Sequence, residues 1–455
     1  MLGSDSTVYK FPENFAAVQA LSFADSGFVG ITVVSGKPHG ALYVLDEKGS
    51  FRLQRQASLI RALPPSFAGT ASFDENNKNH IVVQDNNGKV WGFFHVAYAP
   101  GTKARYDAGF VDHYLTPPAE QEEAKLDMAR LLASKFAPAL IHNVPIQDGP
   151  ADRAAFLGKM AAQLEKTQTA GFPLPDDNLQ HCRGVSSLMV AFANAINQVA
   201  DRRNESPPFD DVLLDTVRYG VQLHDIGKMQ IATHLNDMQL RKFIHPEDES
   251  LTDDKKKAIF GQKWEYFTET NYNHPVLGWF ALSMYRDVAN SVALHHQALV
   301  RDYYGGEREQ WQKFNLVDQD LAYAREVTFF NRVMRVADVA DAIINNGRKT
   351  PDVMVAELAS KTDTPNFLGL PNIDPNILQF MLHSGVIDRY LTDKRVSPLC
   401  VGEPDIQPEI DDAFIAAKAH QLASYGSRRD EIESTLLREV GGMPLVANNW
   451  RATNG

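Results

Sequence analysis

The stretch Val221-Gln222-Leu223-His224-Asp225-Ile226-Gly227-Lys228 sets an imidazole beside a carboxylate. It follows an apolar helical run (Val212, Leu213, Leu214, Val217). Neighbouring side chains on a helix project about 100° apart, so His224 and Asp225 do not share one helix face. They can both reach a metal when other helices bring ligands from the opposite side. Gly227 lets the chain turn, leaving Lys228 near the mouth of whatever the dipeptide lines. A chain like this is therefore constrained to fold distant helices onto His224 and Asp225, and its other chemically suggestive residues read as partners of that pair.

At 455 residues the chain has room for two or three domains, each with its own core. Its 44% apolar and 22% charged content is that of an ordinary globular protein. A formal net charge of -12 argues against polymeric nucleic acid or an anionic membrane surface as the main partner. A small phosphorylated ligand is compatible with that charge when metals supply local positive potential. The only cysteines are Cys182 and Cys400, which excludes a disulfide framework and a thiolate zinc site. The most apolar N-terminal stretch, Phe15 to Val34, is interrupted by Asp25, Ser26 and Gly27, so no membrane insertion is expected. No basic segment precedes it as in a secretory leader, and the expected location is the cytoplasm.

Residues 1–115 read as β. Phe28 to Val34, Ala41 to Leu45, His80 to Gln84 and Val90 to Val96 are short β-branched or aromatic runs, and Asp85-Asn86-Asn87-Gly88 is a hairpin signal between the last two. A small sensory, docking or oligomerisation domain is expected there, able to mediate a homodimer or hold a protein partner. Beyond Pro117-Pro118 the apolar period becomes helical, as in Leu126, Met128, Leu131, Leu132 and Phe136. Residues 116–170 read as a helical connector, 171–400 as a helical domain carrying the chemistry, and 401–455 as a C-terminal helical extension and tail. The expected fold is thus multidomain α and β, with a small β-rich N-terminal domain followed by an all-α domain. Pro246 to Lys257 is charged and reads as a solvated excursion.

Fourteen histidines are spread over the chain. His39, His113, His142, His383 and His420 stand without a second metal-type residue and read as surface or hydrogen-bonded side chains. Asp177 and His181 are four apart, which stacks them on one helix face. Alone, that pair reads more simply as a capping aspartate and a surface histidine. His274 precedes Pro275 at a helix start, where a capping role is the simpler reading. His295-His296 ends the apolar run Val292-Ala293-Leu294, and burying two imidazoles without partners is costly. Asp338 and Asp341 lie three apart on an otherwise apolar helix, Arg335 to Ile343, and buried carboxylates require a cation or a hydrogen-bond network. Together these side chains are too many for one tetrahedral zinc and suit two or three Fe or Mn ions with mixed nitrogen and oxygen ligands. Such a cluster activates water and polarises a phosphoryl oxygen, so hydrolysis of a phosphate ester follows most directly.

In this ordered set the chain resembles the HD superfamily of metal-dependent phosphohydrolases, and within it the HD-GYP branch of bacterial cyclic di-GMP phosphodiesterases. The resemblance runs from Asp177 to Leu382, taking in His181, His224 to Lys228, His274-Pro275 with Gly278, His295-His296, Val336-Ala337-Asp338 with Asp341-Ala342, and the helix start at Asp374-Pro375. It implies an HD-type helical domain in which His181, His224, Asp225, His274, His295, His296 and Asp338 bind two divalent metals, Fe or Mn. Asp177 stands where three-metal members carry glutamate, which leaves a third ion open. The resemblance also implies that Lys228 contacts substrate phosphate. Asp341 would lie behind the ligands or face substrate, and Arg348 and Lys349 are the nearest match to the basic residues after the aspartate helix.

The Gly-Tyr-Pro loop is absent, and Gln297 to Gly306 stands in its place; Tyr303 and Tyr304 offer faces for a nucleobase. The departures lie at the substrate lip. The activity implied is hydrolysis of a cyclic dinucleotide, foremost cyclic di-GMP, by a metal-bridging hydroxide attacking phosphorus while Lys228 and the metals, with Asp225 among their ligands, stabilise developing charge. The alternatives are a phosphohydrolase for another nucleotide and a non-catalytic nucleotide receptor or scaffold retaining the metal site.

Overall fold

The computed structural model describes side chains over residues 148–167, 179–228, 329–343, 355–362, 373–390 and 425–443, at scattered positions in 86–135 and 252–262, and at Leu282, Val288, His295 and Ala423. Backbone is also described at the ends of these helices and along the pairing segments between Val18 and His95. That pairing forms two separate antiparallel ladders, one of four segments ending at Ala57 and one of three between Gly69 and His95.

The small β-rich N-terminal domain expected from the sequence is corrected. The described part of the chain is helical (84%), and no residue with a described side chain lies in a strand, sheet or barrel. Every described buried side chain lies at Ala124 or beyond. β-Branched runs and turn residues favour local extended pairing, but a domain also needs one face buried against a core. The described core is made by helices and the turns that join them.

Seven helices carry it: α1 (Pro150–Thr169), α2 (Asp177–Arg202), α3 (Asp211–Gln222), α4 (Thr328–Asn345), α5 (Pro351–Asp363), α6 (Pro375–His383) and α7 (Asp412–Gly441). The centre is α2. Its buried residues Val185, Leu188, Met189, Phe192, Ile196 and Val199 recur at three- and four-residue spacing, giving an apolar stripe along the helix. Phe192 meets Phe329 of α4 and Phe380 of α6 at ring-centroid distances of 6.3 and 5.5 Å. On its other side α2 packs on α3, and α1 packs on α3 in turn. Gly158 of α1 permits that approach, because a Cβ there would stand 3.3 Å from the Tyr219 ring. The sequence's connector helix is thus one wall of the bundle, and α7 packs against α5, α6 and α2.

Helix starts follow the sequence closely. Asp210 caps α3 by accepting from the Leu213 amide at 2.7 Å, and Asp374 caps α6 by accepting from Asn376 and Ile377, with Pro375 in the first turn. Asn197 clamps the connection before α3, donating to the Phe209 carbonyl at 2.6 Å and accepting from its amide at 3.1 Å. The described charged residues of 252–262 are exposed, as the charge run leads one to expect. The exposed His383 packs against Tyr425 with ring centroids 4.3 Å apart and planes tilted by 32°. No described helix is long and apolar enough to cross a membrane.

Candidate metal centre

The local reason for the site lies at the end of α3. The helix stops at Gln222, and the Leu223 amide turns back to Gly220 and Val221 carbonyls. His224 and Asp225 therefore occupy a tight turn leading into a 3₁₀ segment, Ile226–Gln230. The chain turns at the dipeptide itself instead of after it at Gly227, and the turn brings both side chains against α2.

Four segments converge. His181 on α2 presents Nε2 at 3.3 Å from His224 Nε2 and 3.0 Å from Asp338 Oδ1 on α4. Asp225 sits beside them, its Oδ2 3.5 Å from His224 Nε2 and its Oδ1 3.7 Å from His295 Nε2. The His224 ring packs edge-on against His181 and His295, with centroids 5.1 and 4.9 Å apart. His224, Asp225 and His295 are buried, whereas the His181 and Lys228 side chains keep 18% and 17% of their surface. Among the described residues, approach is therefore from the His181–Lys228 side.

Hydrogen bonds behind the rings fix which nitrogen faces inward. His224 Nδ1 donates to the Val221 carbonyl at 2.9 Å, which leaves Nε2 with a lone pair. His181 Nδ1 donates to Asp341 Oδ2 at 2.7 Å, and Tyr390 donates to the other Asp341 oxygen. With both Nδ1 atoms so engaged, two Nε2 atoms 3.3 Å apart cannot both be bare lone pairs without repulsion. A positive charge belongs between or beside them, as one proton or as a metal ion. Asp338 is backed by the buried Arg335, whose Nη1 donates to Oδ2 at 3.0 Å, and Asp225 by Lys228, whose Nζ donates to Oδ2 at 2.8 Å. The donor set of imidazole nitrogens and carboxylate oxygens, each oriented by an outer partner, fits a divalent cation. One ligand atom each from His181, His224 and Asp338 lie within 4.8 Å of one another.

Without metal, a proton takes the position. Burial lowers the His181 pKa, but its hydrogen bonds to Asp338 and Asp341 override burial and push it up to about 10. Burial lowers His224, and the neighbouring His181 charge reinforces this against the pull of Asp225. Burial, then the Asp341 charge, raises Tyr390, so it remains a donor. The sign of the pH dependence follows. The folded His181 pKa lies above its ordinary 6.5, so its contribution to stability is full below 6.5 and is lost as pH rises through about 10. The metal-free protein is expected to lose thermal stability between about pH 7 and 10, more steeply than His181→Gln, in parallel melts. Coincident pH profiles for the two proteins would contradict the assignment.

The sequence leaves the role of Asp341 open between substrate contact and support of the ligands. It is 0% exposed with both oxygens engaged, so it orients His181 from behind. Asp341→Asn is expected to weaken divalent-metal binding by roughly 10–100-fold, read by calorimetric titration. Unchanged affinity would show that the Asp341 carboxylate does not set His181 for a metal.

The structure thus brings together His181, His224, Asp225, Lys228, His295, Asp338 and Asp341. Asp177 begins α2 one turn before His181, but its side chain lies outside the described residues. His274, His296, Tyr303, Tyr304, Arg348 and Lys349 also lie outside them. Sequence reasoning missed Tyr390, Arg335 and Gly184. Arg335 had a signal, standing one turn before Asp338 on the same helix. Gly184 also had one, as a glycine inside α2: a Cβ there would collide with Asp341 and Tyr390. Tyr390 had none, because only the tertiary fold brings it to Asp341. No protein-family model, curated protein or solved structure matches this chain.

Proposed function

We propose that this cluster binds divalent metal and that the protein is a metal-dependent phosphodiesterase acting on a cyclic dinucleotide, cyclic di-GMP foremost. The observation that carries the reading is the convergence of His181, His224 and Asp338, from three segments far apart in sequence, with both imidazoles turned so that Nε2 faces inward. A structural polar cluster needs hydrogen-bond partners for its members, but it does not need two ring nitrogens aimed at each other. The resemblance of the ordered motifs to HD phosphohydrolases names the reaction. A divalent cation there supplies Lewis-acid polarisation of a phosphoryl oxygen and a source of nucleophilic water.

The residues of the chain then have separate tasks. His181 and His224 are held in the ligand orientation by Asp341 and the Val221 carbonyl. Asp225 bridges the His224 and His295 sides of the cluster. Lys228, partly exposed beside Asp225, can turn its ammonium to a phosphate oxygen arriving from the open side. Arg335 compensates the Asp338 charge from within the bundle. Fe and Mn are the metals expected from the resemblance.

The test is anaerobic incubation of the full chain with Fe(II) or Mn(II) and cyclic di-GMP, with products resolved by chromatography. Linear dinucleotide or GMP formed by the wild type and not by Asp225→Ala supports the reading. Stoichiometric metal without product would overturn the cyclic di-GMP assignment and favour another nucleotide or a receptor. Within the same assay, Lys228→Ala is expected to lower turnover about 10²–10³-fold, the scale for losing one group that stabilises developing charge, while leaving metal content intact. Unchanged turnover would remove Lys228 from the phosphate-binding role.

A further inference from the structure

We propose that Cys182 contributes a thiolate to the metal held by His224 and Asp225, giving a mixed sulfur, nitrogen and oxygen site that takes iron(II), cobalt(II) or zinc(II) in preference to manganese(II). The inference rests on reading His224 and Asp225 as metal ligands. Cys182 follows His181 on α2, so its side chain leaves the helix about 100° away from that of His181. Its sulfur, one His224 ring nitrogen and one Asp225 carboxylate oxygen lie within 4.8 Å of one another. All three residues are buried, at 1%, 0% and 1% exposure. Cys182 forms no disulfide.

Two three-donor sets therefore share His224: one with His181 and Asp338, the other with Cys182 and Asp225. A buried cysteine commonly acts as a small apolar filler. Here its neighbours in the set are an imidazole and a carboxylate whose Nε2 and Oδ2 lie 3.5 Å apart. Coordination forms a metal–sulfur bond and sends the thiol proton to the buffer, with no change in oxidation state. Soft thiolate selects zinc or iron over manganese, which prefers oxygen ligands. Two cysteines are too few for a zinc site built of several thiolates, whereas one thiolate among imidazoles and carboxylates needs only Cys182.

The test is the electronic spectrum of the full chain reconstituted anaerobically with cobalt(II), using Cys400→Ser to remove the other cysteine. A near-ultraviolet sulfur-to-cobalt charge-transfer band is expected in wild type and Cys400→Ser. Its loss is expected in Cys182→Ser and Cys182→Ala, with cobalt still bound through the other ligands. A wild-type protein that binds cobalt stoichiometrically without the band overturns the thiolate ligand and leaves the metal centre standing. A band that survives in Cys182→Ala overturns it equally. Failure to bind cobalt at all overturns both the thiolate and the metal centre. The wild-type and Cys400→Ser spectra decide the matter even if a Cys182 variant does not fold.

Discussion

His224→Ala is expected to abolish stoichiometric divalent-metal binding, and with it any phosphodiester hydrolysis, while the helical content of the protein is retained. His224 stands at the meeting point of the cluster, with Nε2 near both His181 and Asp225. It belongs to both three-donor groups, so no other described residue replaces it. The loss should exceed the roughly 10–100-fold that follows removal of an outer orienting partner, because the substitution deletes a ligand itself. Removing the ring also takes the Nδ1 donor from the Val221 carbonyl, which keeps the His224 amide, and opens space beside His181. Some destabilisation of the metal-free chain will therefore accompany the effect, so binding should be read at a temperature where circular dichroism shows the variant folded. Wild-type metal affinity in folded His224→Ala would remove this residue from the site.

Gly184→Ala should produce the largest stability loss for a single methyl. A Cβ at this position in α2 would collide with the Asp341 carboxylate and the Tyr390 hydroxyl. Those two atoms are hydrogen-bonded to each other in the interior, so neither is the free end of a flexible surface chain. Overpacking of this kind costs about 1–3 kcal/mol, and relief by moving Asp341 would also release His181 Nδ1. Gly184→Ala is therefore expected both to lower the denaturation midpoint and to weaken metal binding. A neutral result in chemical denaturation, where a glycine-to-alanine change inside a helix would otherwise stabilise, would mean that α2 and α4 are not so close.

The parts of this molecule legible in sequence are those governed by local rules. The apolar period of α2 and α4, the Asp374-Pro375 start of α6, and the pairing of His224 with Asp225 need only a short window of chain. The convergence of His181 with His224 and Asp338 was inferable from cost: polar side chains set in apolar helices must find partners inside. What could not be read was the choice among partners. Asp341 and Asp338 lie three apart and looked equivalent, yet one faces the centre with His181 Nε2 and the other backs its Nδ1. Tyr390 and the Val221 carbonyl, which settle the imidazole orientations, carry no sequence signal. The β-rich N-terminal domain failed for the converse reason. Its local pattern was clear, but a domain is defined by a buried face, and the described core is built by helices and their connecting turns, all at Ala124 or beyond.

Calorimetric titration of manganese(II) or iron(II) into chelator-stripped protein, repeated in buffers of different protonation enthalpy, tests the metal centre most directly. The His181 Nε2 proton must leave before a metal can take its place. Stoichiometric binding at pH 8 with release of protons, abolished in His224→Ala and Asp338→Ala, is the predicted result. No binding by the wild type, or binding that both variants retain, would show that the converged imidazoles and carboxylates are a protonated structural network and not a metal site.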